Sequence, residues 1–185
     1  SLSVMFAARV FSGHIDIIST LAWIPFVFGS ISSAIKKANK KNLLLAVLFL
    51  TLQILSGYQF VVMLTIIFLS FFVVYKIIIS YSRNLRRSIP GIVHTILTFI
   101  GIVITSFGIS AVQLLPTFQL VRESIRKDGL PYELTTWGSY FFESFKLFVN
   151  PFAYGNPLPE KYSYFGPGPN YYELSYFVGR IPLLI

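Results

Sequence analysis

Apolar residues run nearly unbroken through long stretches of the chain, and the places where polar residues interrupt them set the elements. The stretch from Leu43 to Ile79 carries a single charge, Lys76. As one helix it would reach roughly 55 Å, against about 30 Å of bilayer hydrocarbon, so it must fold back once. Ser56-Gly57-Tyr58-Gln59 is the polar interruption near its middle, and its glycine permits a turn. The pattern therefore predicts two helices, 43–55 and 60–81, with an earlier one over 17–35. A further apolar run, 89–115, opens with Pro90 in a tolerated first-turn position and closes at Pro116. Residues 1–11 read as the tail of a preceding span and 174–185 as the start of another, with Arg180 either snorkelling to the interface or facing a polar cavity. Trp23 with Pro25 marks a kink or an interface belt in the first complete helix.

Composition fits that pattern. Hydrophobic residues make up 55% of the chain and charged residues 12%, with a mean hydropathy of +0.70, more apolar surface than a soluble core could hide. The expected fold class is all-α: a polytopic transmembrane helix bundle with an aromatic-rich external loop carrying an interfacial helix. The chain opens Ser1-Leu2-Ser3-Val4 and stops inside a fresh apolar run, so it reads as an internal fragment of a longer protein. It has no cysteine, which excludes disulfides, thiolate metal sites and cysteine nucleophiles from this stretch.

The net charge of +8 would suggest nucleic acid in a soluble protein, but the bases sit where membrane topology wants them, and no nucleic-acid partner is expected. Lys36, Lys37, Lys40 and Lys41 precede the hairpin and Arg83, Arg86 and Arg87 follow it, with no acid in either loop. Loops 36–42 and 82–88 are therefore expected in the cytoplasm, and 56–59 and 116–173 outside a cell membrane crossed several times. The long loop has five bases against six acids counted through Glu173, a net charge of −1. It is too rich in Phe, Tyr and Trp to be a disordered linker. Phe141, Phe145, Phe148 and Phe152 approximate helical spacing, which predicts a helix over 138–149 lying flat in the interface. Phe165-Gly166-Pro167-Gly168-Pro169-Asn170 lacks the lysine of a phosphate loop and reads as a connector.

Candidate chemistry converges on the external side. His14, Asp16, Tyr58, Gln59, Gln113, Arg122, Glu123 and Arg126 all fall near that face. Arg122 and Arg126, one turn apart, would suit a lipid-linked phosphate, or else form with Glu123 a solvated helix face. His14 and Asp16 could serve as base, metal-ligand pair or substrate clamp; alternatively Asp16 caps the following helix and His14 satisfies a loop carbonyl. Two residues do not make a metal site. His94, near the cytoplasmic end of its span, reads as a packing or interfacial residue rather than a relay.

Several short motifs resemble a known group. Ala8-Arg9-Val10-Phe11-Ser12-Gly13-His14 and Ala22-Trp23-Ile24-Pro25-Phe26 are similar to the arginine, Gly-His and Trp-x-Pro pattern of the YfhO-like and related GT-C membrane glycosyltransferases. Leu55-Ser56-Gly57-Tyr58-Gln59 resembles the segment where those proteins carry Gly-His-Pro-Gln, with Tyr58 in place of the histidine. Ala111-Val112-Gln113-Leu114-Leu115-Pro116-Thr117, leading to Val121-Arg122-Glu123-Ser124, resembles their junction between span and external helix. Asn170-Tyr171-Tyr172-Glu173 with Tyr176-Phe177-Val178-Gly179-Arg180 resembles the entry to their next helix.

The resemblance implies transfer of a sugar from a polyprenyl-phosphate carrier, on the outer face of the bilayer, to a glycan, lipid or polymer acceptor. It implies inversion by a carboxylate on an external loop upstream of Ser1, with a divalent metal ion conceivable in the full-length protein. The catalytic base would thus lie outside this chain. Arg9, His14, Asp16 and Gln59, together with Arg122 and Glu123, would line the substrate-binding walls. Two other functions compete: a transporter or flippase for a lipid-linked substrate, and a non-catalytic membrane scaffold using the aromatic loop.

Overall fold

A computed structural model describes residues 9–10, 12–83, 85–124, 127, 129, 131, 132, 136, 142–150 and 152–155, with the backbone alone over 80–83 and 85–88. The flanking spans expected at 1–11 and 174–185, the connector 165–170 and Arg126 fall wholly or mainly outside these residues. Among the described residues all regular structure is helical: α1 (Ile15–Ala22), α2 (Ile24–Lys36), α3 (Lys40–Leu55), α4 (Gln59–Arg83), α5 (Leu85–Glu123) and a 3₁₀ helix, Phe142–Phe148. The chain forms two compact units, one of residues 16–120 and one of residues 1–15 with 121–185.

In the first unit, α1 and α2 are one apolar rod broken at Trp23. Proline cannot donate a backbone hydrogen bond, and Pro25 stands in the first turn of α2, so the ladder lapses there and resumes with Val27 N donating to Trp23 O at 2.9 Å. Trp23 and Pro25, read as a kink or an interface belt, stand at this interruption.

α2 turns into α3 through three residues stitched by two asparagines. Asn39 Oδ1 accepts from Asn42 N at 2.8 Å, capping α3, while Asn42 Nδ2 donates to Lys37 O at 2.8 Å and to Ser33 O at 3.3 Å. An orphan N–H opening α3 is thus satisfied, and the Ser33 and Lys37 carbonyls, which already accept from Lys37 N and Asn39 N, gain a second donor in one short loop. The two helices make the most extensive pairing in the unit.

α3 leaves Ser56 and Gly57 to reverse the chain. Gly57 has φ of +98°, a left-handed conformation that glycine adopts without steric cost. Its N–H donates to Ile54 O at 3.2 Å.

The core gathers Val27, Ile31 and Ala34 of α2, Ala46, Leu50 and Ile54 of α3, Val62 and Leu69 of α4, and Ile102 of α5. Each set recurs at three-, four- or seven-residue intervals, the inward stripe of an α-helix. Phe49 stacks on Trp23 at 6.0 Å and meets Phe26 at 5.5 Å. Phe28 contacts both Phe68 and Phe72, at 5.9 and 4.8 Å, fixing α2 against α4.

The opposite faces are apolar too. Phe60, Phe68, Phe71 and Ile78 on α4, and Leu97, Ile104 and Val112 on α5, are exposed, a surface that lipid covers without cost and water does not. Ile15–Lys36, Gln59–Ile79 and Ile89–Glu123 are each long and apolar enough to cross a membrane.

Two prolines behave differently from the sequence expectation. α5 begins at Leu85, so Pro90 lies beyond its first turn, and the helix continues through Pro116 to Glu123. Pro116 is solvent- or lipid-exposed, and one turn of lost bonding there is tolerated between two long runs of intact ladder. Thr117 Oγ1 donates to Gln113 O at 2.8 Å beside it. Residues 116–123 thus continue α5 past Pro116, where the apolar run was expected to close.

In the second unit, the segment expected to hold an α-helix over 138–149 is a 3₁₀ helix where it is described. With three residues per turn, Phe142, Phe145 and Phe148 align on one exposed edge, their rings 5.6 and 6.0 Å apart. Leu147 and Tyr154 pack beneath, and Lys146 Nζ lies 4.2 Å from the Tyr154 ring centroid.

Candidate functional site

Polar groups collect inside unit 16–120 at the end where α3 turns into α4. Gln53, fully buried, donates through Nε2 to Thr65 Oγ1 at 2.9 Å and to Thr20 O at 3.3 Å. The amide orientation follows from its partners. Thr65 Oγ1 spends its own proton on Val61 O at 2.8 Å, and a carbonyl can only accept, so both positions require the NH₂ group. One amide thereby ties α1, α3 and α4 together. Its Oε1 is buried and has no hydrogen-bond partner among the described residues, as do Thr51 Oγ1 and Ser110 Oγ.

A seam between α3 and α5 continues this polarity. Ser106 Oγ donates to Val47 O at 3.2 Å. Thr51 and Ser110 each stand one turn further along, on the same helix faces. Beyond them, Gln113 Nε2 lies 3.8 Å from where a Cβ on Gly57 would be. In the other direction the seam opens into a cleft of about 470 Å³ lined by Leu43, Val47, His94, Thr98, Gly101 and Thr105. His94 is an exposed wall of this cleft rather than a packed core residue.

The residues singled out from sequence are distributed as follows. Gln59 opens α4, and its Nε2 donates back to Ile54 O at 3.2 Å, so it closes the hairpin turn. Asp16 is exposed in the first turn of α1, where a carboxylate complements the helix dipole; its carbonyl accepts from Ser19 and Thr20 hydroxyls. Both belong to unit 16–120. Arg9 and His14 belong to the other unit, where His14 N and Ser12 Oγ converge on Arg9 O at 3.0 and 3.2 Å. Arg122 and Glu123, exposed in the last turn of α5, are in that unit as well. The six residues are thus divided between two units. Among the described residues no three His, Asp or Glu side chains gather as a metal-binding group.

Gln53 and Thr65 were not among the sequence candidates. The signal available was a lone amide inside the apolar run 43–55, with a hydroxyl twelve positions later across the predicted turn.

The apolar helices define the class: an α-helical protein of the lipid bilayer. Compared with protein-family models, curated proteins and solved structures, the chain matches none.

Proposed function

We propose that the chain is part of a multi-pass cell-membrane glycosyltransferase of the GT-C type, taking a sugar from a polyprenyl-phosphate donor on the external face. The supporting observation is the polarity of unit 16–120. The turn end holds Gln53, Gln59 and Gln113, with no charged side chain in the turn 56–59 itself, while the α2–α3 connection at the other end has lysines as its only charged residues. Under the positive-inside bias this puts 36–42 and 82–88 in the cytoplasm and the amide-rich turn 56–59 outside, with 116–173. Amides and hydroxyls are the groups that hydrogen-bond sugar hydroxyls; in the other unit, taken by itself, Arg122 is a cation of the kind that pairs with a phosphate.

Topology is tested first, by single cysteines at Asn39, Tyr58, Asn84 and Asn156 labelled in intact cells with an impermeant thiol reagent. Labelling at Tyr58 and Asn156 alone is expected; labelling at Asn39 or Asn84 reverses the orientation. Activity is tested on the full-length protein with a polyprenyl-phosphate-linked sugar, where Arg122→Ala and His14→Ala should lower turnover. Unchanged turnover in both variants would sink the assignment of these walls and favour a scaffold.

A second reading, a carrier for a lipid-linked substrate, draws support from the buried Gln53, Thr51 and Ser110, since polar groups inside a bundle line transport paths. Movement of the substrate across vesicles lacking any acceptor would select it.

A further inference from the structure

Lys76 sits where a membrane helix seldom puts a charge. On α4 the buried residues Val62, Thr65, Leu69 and Val73 recur every three or four positions, and Lys76 is the next in that series. It is half-buried, with Nζ 5.4 Å from the Phe72 ring centroid. It therefore lies toward the packed side of the helix and within the apolar span Gln59–Ile79.

No carboxylate in its own unit can neutralise it. Between Asp16 and Glu123 the sequence contains neither Asp nor Glu, and Asp16 opens α1 at the end of the unit where the amides gather. The neighbours of Lys76 add to the charge instead. Phe28 of α2 contacts Phe68 and Phe72, and α2 and α4 run in the same direction, each being antiparallel to α3. Lys76 is four residues past Phe72 and Lys36 eight past Phe28, so the two differ in level by only about one helical turn. Lys36, Lys37, Lys40 and Lys41 are all exposed on the α2–α3 connection. The result is one cation held inside the apolar boundary, beneath several at the surface.

We infer that Lys76, with Lys36, Lys37 and Lys40, binds the phosphate of an anionic phospholipid headgroup at the basic end of the bundle. The depth of Lys76 argues for a lipid over a free anion. It lies inside the apolar stretch of α4, seven residues before that helix ends at Arg83, where the lysine stem can reach a headgroup but a hydrated phosphate would have to shed water. Exposed Val74, Tyr75 and Ile78 beside it give the acyl chains an apolar surface. The inference rests on the bilayer reading and not on glycosyl transfer.

The test uses the whole chain purified in a neutral maltoside, with lipid retention read by native mass spectrometry and unfolding temperature by thermal shift. Phosphatidylglycerol is expected to stay bound and raise the unfolding temperature, phosphatidylcholine to do neither. Lys76→Gln should weaken phosphatidylglycerol binding about fivefold, the factor for one base at a charged surface, and Lys76→Arg should preserve it. Equal effects of the two lipids, undiminished binding in folded K76Q, or inorganic phosphate protecting as well as the lipid would each overturn the proposal. If K76Q does not fold, by circular dichroism, the exposed pair Lys36→Gln and Lys37→Gln decides: binding must fall there, and unchanged binding overturns the proposal equally.

Discussion

The side-chain amide of Gln53 donates to the hydroxyl of Thr65 at 2.9 Å across the α3–α4 hairpin, both groups buried. Thr65 Oγ1 can only accept in this bond, because its own proton serves Val61 O. It is a buried polar clasp in a largely apolar hairpin. A double-mutant cycle with Gln53→Leu and Thr65→Val should give a coupling of about 0.6 to 1.7 kcal/mol, the range for hydrogen bonds between membrane helices. Reversible unfolding in mixed micelles measures it, and strict additivity would mean the clasp contributes nothing.

Two glycines should respond in opposite senses to alanine. Gly57 has φ of +98° while the nearest atom to an added Cβ, Gln113 Nε2, is 3.8 Å away. Strain, not space, is the cost, so Gly57→Ala should destabilise by about 1 to 2 kcal/mol. Gly29 lies within α2 with nothing within 4 Å of an added Cβ; Gly29→Ala should stabilise by about 0.5 to 1 kcal/mol. Thermal unfolding of the two variants in one detergent checks the sign of each.

Removing the Asn39 side chain should loosen the start of α3. Asn39→Ala loses the bond to Asn42 N and about 1 kcal/mol, whereas Asn39→Asp or Asn39→Ser keeps the cap. Amide exchange at Asn42 reports it directly: faster in the alanine variant, and unchanged in the aspartate and serine variants.

Pro116→Ala should strengthen α5 rather than break it. The change returns an N–H to the ladder within a helix that already continues to Glu123, a gain of up to about 3 kcal/mol. Increased exchange protection around residues 113–120 is the expected result. A loss of protection there would mean that the proline shapes this end of the helix.

The class of fold and the position of the reversal were legible because they rest on local chemistry. An apolar run too long for one crossing needs a turn, and Gly57 sits among polar neighbours where the turn falls. Pro25 marked a break for the same reason, since a missing N–H is felt within one helical turn. The course of α5 through Pro116 was not legible. Whether a proline stops a helix depends on the runs on either side of it, and its exposed position is a tertiary fact. Gln53 was missed for a related reason. One amide barely alters the average character of residues 43–55, and only packing reveals that it points at Thr20 and Thr65 rather than at a headgroup. The 3.6-residue period groups Phe141, Phe145, Phe148 and Phe152, whereas the edge in the 3₁₀ helix is Phe142, Phe145 and Phe148, at three-residue spacing.

The sixteen residues of α3 measure about 24 Å, some 6 Å less than the hydrocarbon they stand beside. Neither end can creep outward: the Asn39 cap fixes one and the left-handed Gly57 the other. Where α3 meets lipid, snorkelling of Lys40 and Lys41 covers part of that difference and an inward dimple of the bilayer the rest, which favours thinner regions of membrane. Such a dimple shortens the distance between the two aqueous surfaces beside the bundle, so a long-chain lipid resting there would keep its headgroup nearer the midplane than its neighbours do.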